Sequence, residues 1–454
     1  MKSTHALIQQ NSGNKDALKE LFQTLNLIVK ISFDLNCHDL SPAFEDNLAS
    51  IMEVFHTYLT YSNPLLVTDD DDEAGPMERV KSGICELLQL FAYKYNDDFE
   101  DILPKFAEPT IALLMSLGPE PKYDITISKA LQFLTAIVRS PKHAANFNSE
   151  DALGQAVEKI ILPNMTLRTS DEELFEDDPI EYIRRDLGGS DSETRRRAVT
   201  DFLRQLLEQF DQLVTTVVGR YIEHYLKEYS SNPAENWRSK DTALYLFSSI
   251  AAKASTEKRG VVKTNQYVDV VSFFQTNVAA DLVASFDDVH PILKVDAIKY
   301  LNSFRSQFSK AQLVDAFPLV ANHLSSPNYV VYTYTAVTID RILAMSSEGV
   351  PVFNAQDIES YSKDILQHLF RLIEQGGTPE KIAENEFLMR CVMRILLLSG
   401  KGVSPILESV LAELLKITGE ISKNPSNPHF NHYTFECLGS LIRFVFIPCF
   451  SGVV

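Results

Sequence analysis

Apolar residues recur along this chain with the spacing of one face of an α-helix, and the same template returns from end to end. Leu18, Leu21, Phe22, Leu25 and Val29 stand at i, i+3, i+4, i+7 and i+11, one stripe of an amphipathic helix. Ile84/Leu87/Leu88/Phe91, Leu203/Leu206/Leu207/Phe210, Leu366/Leu369/Phe370/Ile373 and Leu407/Val410/Leu411/Leu414 repeat it. The alternation expected of half-buried strands is nearly absent. A helix with one apolar stripe cannot bury that face alone, so neighbours must cover it. The pattern predicts paired helices: 16–36 with 42–61, 77–97 with 100–117, 123–139 with 151–165, 195–212 with 213–230, and 238–254 with 266–282. The series continues with 291–308 and 310–325, 329–346 and 355–374, 380–399 and 403–421, then an unpaired helix from 429. Starts recur at roughly 40–50 residues where no long loop intervenes, the period of HEAT and armadillo repeats. Pro42 and Pro318 mark links, while Pro291 and the run Ser325–Asn328 mark helix starts. The expected fold is all-α: a HEAT-repeat α-solenoid, one continuous superhelix of antiparallel helix pairs.

One long, highly charged stretch interrupts this rhythm, at 166–194. Asp171, Glu172, Glu173, Glu176, Asp177, Asp178 and Glu181 follow one another with no base between them. The sign then reverses at Arg184 and Arg185, Asp186 follows, and the chain crosses Gly188-Gly189-Ser190 to end in Arg195-Arg196-Arg197. A run of like charge can be a solvated loop. Here Leu174, Phe175, Ile180, Tyr182 and Ile183 interleave the charges and Pro179 fixes a turn, whereas a purely solvating segment has few aromatics and one sign. The insertion is therefore expected to be structured and to dock on something basic. Tyr182 and Ile183 should anchor it, and Arg184 and Arg185 should pair with Asp186 or nearby carboxylates. The chain divides into repeats over 1–165, the insertion, and repeats over 195–454 ending in an apolar tail at 444–454. A second acidic loop, Thr68–Gly75, reads either as solvated or as a further contact.

Composition narrows the function. At 45% hydrophobic and 23% charged residues the chain can bury a core. A net charge of −19 argues against nucleic acid, whose phosphates need a dense Lys/Arg surface, and favours basic protein partners. Five cysteines without CxxC spacing read as reduced, intracellular core thiols. The N-terminus lacks the apolar region of a secretory signal. Phe444–Val454 is too short for a membrane span and carries Pro448, so no membrane insertion is expected. No phosphate-binding loop, HExxH, GxSxG or kinase signature is present, and Gly400-Lys401-Gly402 lacks the required spacing. His429 and His432 lie three apart without a third ligand, and read as structural imidazoles. Trp237 reads as a staple between hairpins. No cofactor and no enzymatic activity are expected.

Several long strings carry a resemblance. FEDDPIEYIRRDLGGSDSETRRRA (Phe175–Ala198), SPAFEDNLASIMEVFHTYLTYSNPLL (Ser41–Leu66), NPAENWRSKDTALYL (Asn232–Leu246) and KNPSNPHFNHYTFE (Lys423–Glu436) resemble the exportin-2, or cellular apoptosis susceptibility, family of the importin-β (karyopherin) superfamily. The likeness covers nearly the whole chain. It implies a nuclear transport receptor without catalytic activity, whose HEAT arches wrap Ran in its GTP form together with importin-α and export importin-α from nucleus to cytoplasm. Nuclear pore proteins are further partners it leaves open, and shuttling and nuclear-envelope localisation follow. It also implies that the insertion contacts Ran, through the acids named above with Tyr182, Arg184, Arg185 and Asp186, and acts as a hinge. Family members are about twice this long. Met1-Lys-Ser-Thr-His enters at what reads as a loop of a later repeat, and the pattern gives way after Ile442-Arg443. The chain is therefore expected to be a central fragment. The rival readings are a HEAT scaffold without Ran dependence, such as a phosphatase subunit, and an enzyme hidden in the Glu/His inventory.

Overall fold

The computed structural model of the chain describes residues 1–187 and 194–446. The expectations placed on Gly188-Gly189-Ser190 and on residues 447–454 of the apolar tail lie outside the described residues. The fold is all-α and of the HEAT-repeat solenoid class. It divides into two compact units, Met1–Ala251 and Ala252–Val454, a boundary inside the segment 195–454 rather than at the insertion.

The first unit contains α1 (Lys2–Gln10), α2 (Lys15–Asn36), α3 (Leu48–Leu59), α4 (Pro76–Lys94), α5 (Pro104–Ser116), α6 (Asp124–Val138) and α7 (Glu150–Ala156). The last is prolonged by a π-turn at Val157–Ile161 and by Leu162–Met165. The insertion forms α8 (Thr169–Asp177) and α9 (Pro179–Leu187), and α10 (Arg195–Gln209), α11 (Asp211–Ser231) and α12 (Trp237–Ala251) follow. Alternate helices pack side by side, α2 on α4, α4 on α6 and α10 on α12, and α6 meets α10 across the insertion in the chain. A second layer runs α3, α5, α7, α11. The spacing explains the packing, because α2 buries Leu18, Phe22, Leu25 and Val29, and α4 buries Ile84, Leu87, Leu88 and Phe91. Asn14 opens α2 by accepting the Ala17 N–H at 3.2 Å, satisfying one otherwise orphaned donor. On α10, Leu203, Leu206 and Leu207 are buried as expected, but the helix ends at Gln209 and Phe210, just beyond it, stays half-buried.

The second unit repeats the two layers. It comprises α13 (Val270–Val283), α14 (Pro291–Phe304), α15 (Lys310–Asn322), α16 (Tyr329–Leu343), α17 (Ala355–Glu374), α18 (Glu386–Ser399), α19 (Leu407–Ile421) and α20 (Pro428–Leu441). Here α14, α16, α18 and α20 form one layer and α13, α15, α17 and α19 the other. Asn354 and Asp357 cap α17 reciprocally, and Ser309 and Gln312 do the same for α15. Leu366, Leu369, Phe370 and Ile373 are buried on α17, as are Val410 and Leu414 on α19, where Leu407 and Leu411 remain half-buried.

Two departures correct the sequence expectation. The helix predicted over 238–254 stops at Ala251, and an antiparallel hairpin follows, β1 (Ala252–Thr256) with β2 (Gly260–Thr264). Val261, Val262 and Thr264 favour extended backbone, and Gly260 takes φ +72° to close the turn. A shorter pair, β3 (Ser346–Ser347) and β4 (Val350–Pro351), caps the end of α16. The second departure is Glu386–Ile421, long and apolar enough by length and composition to cross a membrane, which the sequence reading passed over. Gly400, at φ +51°, breaks this stretch, and a 3-10 turn, Gly400–Ile406, separates α18 from α19.

Candidate partner-binding site at the charged insertion

Pro179 sets the geometry of the insertion. It ends α8 and occupies the first position of α9, where its missing N–H costs nothing. The Asp178 carboxylate caps the new helix by accepting the Glu181 N–H at 3.0 Å. Apolar residues then face inward. Phe175 and Ile183 are buried, and Tyr182 meets Phe175 edge-on with ring centroids 5.1 Å apart. Phe175, Tyr182 and Ile183 form the floor of a small helical hairpin, whereas Ile180 stays exposed at its outer side.

Beneath that floor lies an ionic network. Arg168, just before α8, reaches Asp124 at the start of α6 (Nη1–Oδ1 2.7 Å) and Asp171 (Nη2–Oδ1 2.8 Å). Asp171 accepts the Arg168 backbone N–H at 3.1 Å, so it also caps α8. Asp124 is shared with Arg195, whose Nε lies 2.5 Å away. Arg195 is buried and donates further to the carbonyls of Gly118 at 2.9 Å and Glu120 at 2.6 Å. Arg196 turns the other way. It forms a bidentate pair with Asp241 on α12, donates to the Met165 carbonyl at 2.7 Å, and lies over Tyr245 at 4.1 Å. Burial alone would raise the Asp171 carboxyl, but hydrogen bonds and charge from Arg168, with Arg196, hold it below its usual range.

The predicted site residues therefore separate into two sets. Asp171 points inward, and Glu172 is clamped by Arg238 of α12 at 2.5 and 2.6 Å. Glu181 takes both Arg184 (2.6 Å) and Arg185 (2.8 Å), and these side-chain bonds hold its carboxyl down to about 2. The arginines thus pair with a nearby carboxylate, but with Glu181 rather than Asp186. Glu173, Glu176, Asp177, Asp178 and Asp186 remain exposed. A cleft of about 680 Å³ runs under the insertion, with Arg168, Arg195, Arg196, Arg204 and Tyr245 among its walls. The outer edge of the insertion is acidic and its inner wall is rich in arginine. Sequence reasoning missed Arg168, Asp124, Arg238 and Asp241. Arg195–Arg197 was visible as a basic run, but the partners of Arg195 and Arg196 lie 71 and 45 residues away.

The loop Thr68–Gly75 is also engaged. Asp71 holds Lys122 at 2.7 Å and Glu73 holds Arg79 at 2.5 Å. Among the described residues no group of three or more His, Cys, Asp or Glu side chains is placed to hold a metal ion.

These features define a class: a HEAT-repeat binding protein carrying a folded, ionically clamped insertion. Residues 1–339 match the family model described as Cse1, and residues 340–448 match that of the CAS/CSE protein, C-terminus. The chain is 44% identical to the importin alpha re-exporter of Saccharomyces cerevisiae, over 98% of this chain and 47% of that protein. It is 40% identical to Exportin-2 of Homo sapiens, over 97% of this chain and 45% of that protein. Among solved structures, the exportin Cse1 in its cargo-free, cytoplasmic state superimposes with a TM-score of 0.90 at 44% identity, covering 98% of this chain and 47% of that one. The chain belongs to the Cse1 (CAS/CSE) family. It spans about half the length of the curated relatives it matches.

Proposed function

We propose that this chain is the part of a nuclear transport receptor that binds importin-α together with Ran in its GTP form, for export of importin-α from nucleus to cytoplasm. The supporting observation is 44% identity, along 98% of the chain, to a protein named for re-exporting importin alpha. The role requires no bond making, and the two-layer helical stack offers what it does require, a large surface of stacked repeats. Shuttling between nucleus and cytoplasm, residence at the nuclear envelope and contacts with nuclear pore proteins belong to the same reading.

In this reading the insertion works by division of labour. Asp171, Glu172 and Glu181 spend their charge on arginines of this same chain and fix α8 and α9. Glu173, Glu176, Asp177 and Asp178 face water and attract a basic GTPase surface, chiefly by raising the rate of encounter. Tyr182 anchors the pair of helices, and Arg184, Arg185 and Asp186 form its rim. Repeats over 1–165 and 195–454 precede and follow it in the chain.

The test is co-precipitation of this chain with Ran loaded with GTP or GDP, in the presence and absence of importin-α. Capture of Ran only with GTP, strengthened by importin-α, supports the proposal. Capture of importin-α indifferent to Ran and its nucleotide would make the chain a general HEAT scaffold instead.

A further inference from the structure

The hairpin β1–β2 departs from the rest of the chain in charge as well as in secondary structure. Lys253, Lys258, Arg259 and Lys263 stand against the single carboxylate of Glu257, in a protein whose net charge is −19. Glu257 in turn lies near enough to Arg390 to support its charge. Lys258, Arg259 and Lys263 are exposed and enter no ion pair among the described residues. Val262 on β2 and Tyr267 just beyond that strand are exposed as well, at 41% and 45%.

The hairpin is also held rigid from below. Arg305, at the end of α14 and fully buried, donates to the Glu257 carbonyl at 2.6 Å and to the Asn302 carbonyl at 2.5 Å. The Val261 carbonyl accepts from Ser306 Oγ at 2.5 Å and from Gln307 Nε2 at 2.7 Å. Gly260 fits against the backbone so closely that a Cβ there would lie 2.3 Å from the Ser303 carbonyl oxygen. Irregular pairing at Lys253 and Val262 re-aims side chains along both strands. A solvated loop needs no such anchoring. Three cations that enter no ion pair among the described residues, carried on a backbone fixed from below, form a prearranged basic surface of low ordering cost.

We propose that this hairpin binds an acidic, unstructured protein segment, Lys258, Arg259 and Lys263 taking its carboxylates and Tyr267 its side chains. A polyanion as long as nucleic acid would be repelled by the acidic remainder of the chain, whereas a short acidic peptide meets only the local field. The proposal is independent of the reading given to the insertion.

The test measures fluorescence anisotropy of a labelled Asp-Glu-Ser repeat peptide against the whole chain at low salt, with a Lys-Glu-Ser peptide and oligo-dT as comparisons. The acidic peptide should bind, and Lys258→Ala/Arg259→Ala/Lys263→Ala should weaken it about tenfold, the sum of three exposed charge pairs. These exposed substitutions should leave melting unchanged. Ser306→Ala/Gln307→Ala keeps every charge but frees the Val261 carbonyl, and should weaken binding severalfold. Absence of binding, equal binding by the triple variant, or oligo-dT binding as tightly as the peptide would overturn the assignment. Full affinity in the Ser306/Gln307 variant would overturn the role given to the rigid base.

Discussion

Replacing Arg196 by Met strips one charge from the pair that joins α10 to α12 and strands the other. Asp241 is completely buried, while the Arg196 side chain is 16% exposed, so the pair belongs to the buried regime rather than to the surface. At an effective dielectric of 20, two unit charges 4 Å apart attract by about 4 kcal/mol, and desolvation consumes much of that gain. The pair is therefore a weak net stabiliser, yet removing one partner leaves a fully buried carboxylate without its counter-charge, at a cost of about 3–5 kcal/mol. Arg196→Met also loses the stacking on Tyr245 and the bond to the Met165 carbonyl. For a unit of this size each kcal/mol moves the melting temperature by about 2–4 °C, so the first unit should melt roughly 6–20 °C lower. The double variant Arg196→Met/Asp241→Leu removes both charges and should recover more than half of that loss. Calorimetry of the three proteins reads this directly, with hydrogen exchange over 168–187 reporting whether α8 and α9 loosen with the seam. A single variant that melts like the parent, or a double variant worse than the single, would refute the buried-pair reasoning.

Three further outcomes are expected. Leu207→Asp places a carboxylate in the seam between neighbouring helices and should cost several kcal/mol, read by urea unfolding; parental stability would show that the α10 stripe is misassigned. His323 is buried with Nδ1 2.9 Å from the Leu319 carbonyl, and burial, helped by the Lys294 charge, holds its pKa below 6.5. The unfolded chain therefore binds the extra proton first, so stability should fall as pH drops below about 6.5, and His323→Gln should flatten that slope in melting curves. Parallel slopes would exclude His323 as the group responsible. Under the proposed function, Glu173→Gln, Glu176→Gln, Asp177→Asn and Asp178→Asn together, which keep a capping oxygen at the start of α9, should leave melting within about 1 kcal/mol while slowing association with Ran-GTP and reducing its salt dependence in stopped-flow traces; unchanged association would confine the insertion to a structural role.

Burial of one face is what made this fold legible. Leu18 to Val29 and Ile84 to Phe91 repeat at helical spacing because each must meet a neighbour, and no other constraint competes with that. The hairpin at Ala252–Thr264 escaped because its cause lies elsewhere: Arg305, Ser306 and Gln307 satisfy its carbonyls from beyond the next helix pair. The insertion was half legible. Its apolar residues announced a folded element, and Phe175 and Ile183 are buried accordingly. A linear reading, however, counts Asp171 and Glu172 with the other acids, and only three dimensions bring Arg168 and Arg238 to them. Charge is a property of a segment, whereas pairing is a property of a fold.

The clamp on Glu172 has an optical consequence. Arg238, which grips that carboxylate, lies 4.7 Å over the indole of Trp237, the only tryptophan in the chain. A guanidinium on an indole face changes the brightness and colour of its emission, and excitation at the red edge of the absorption band leaves the 17 tyrosines dark. The protein thus carries its own reporter at the root of α8. Any lifting of the insertion would withdraw Glu172, free Arg238 to swing from the ring and alter the light from one known residue, so that such a movement could be timed without attaching any dye.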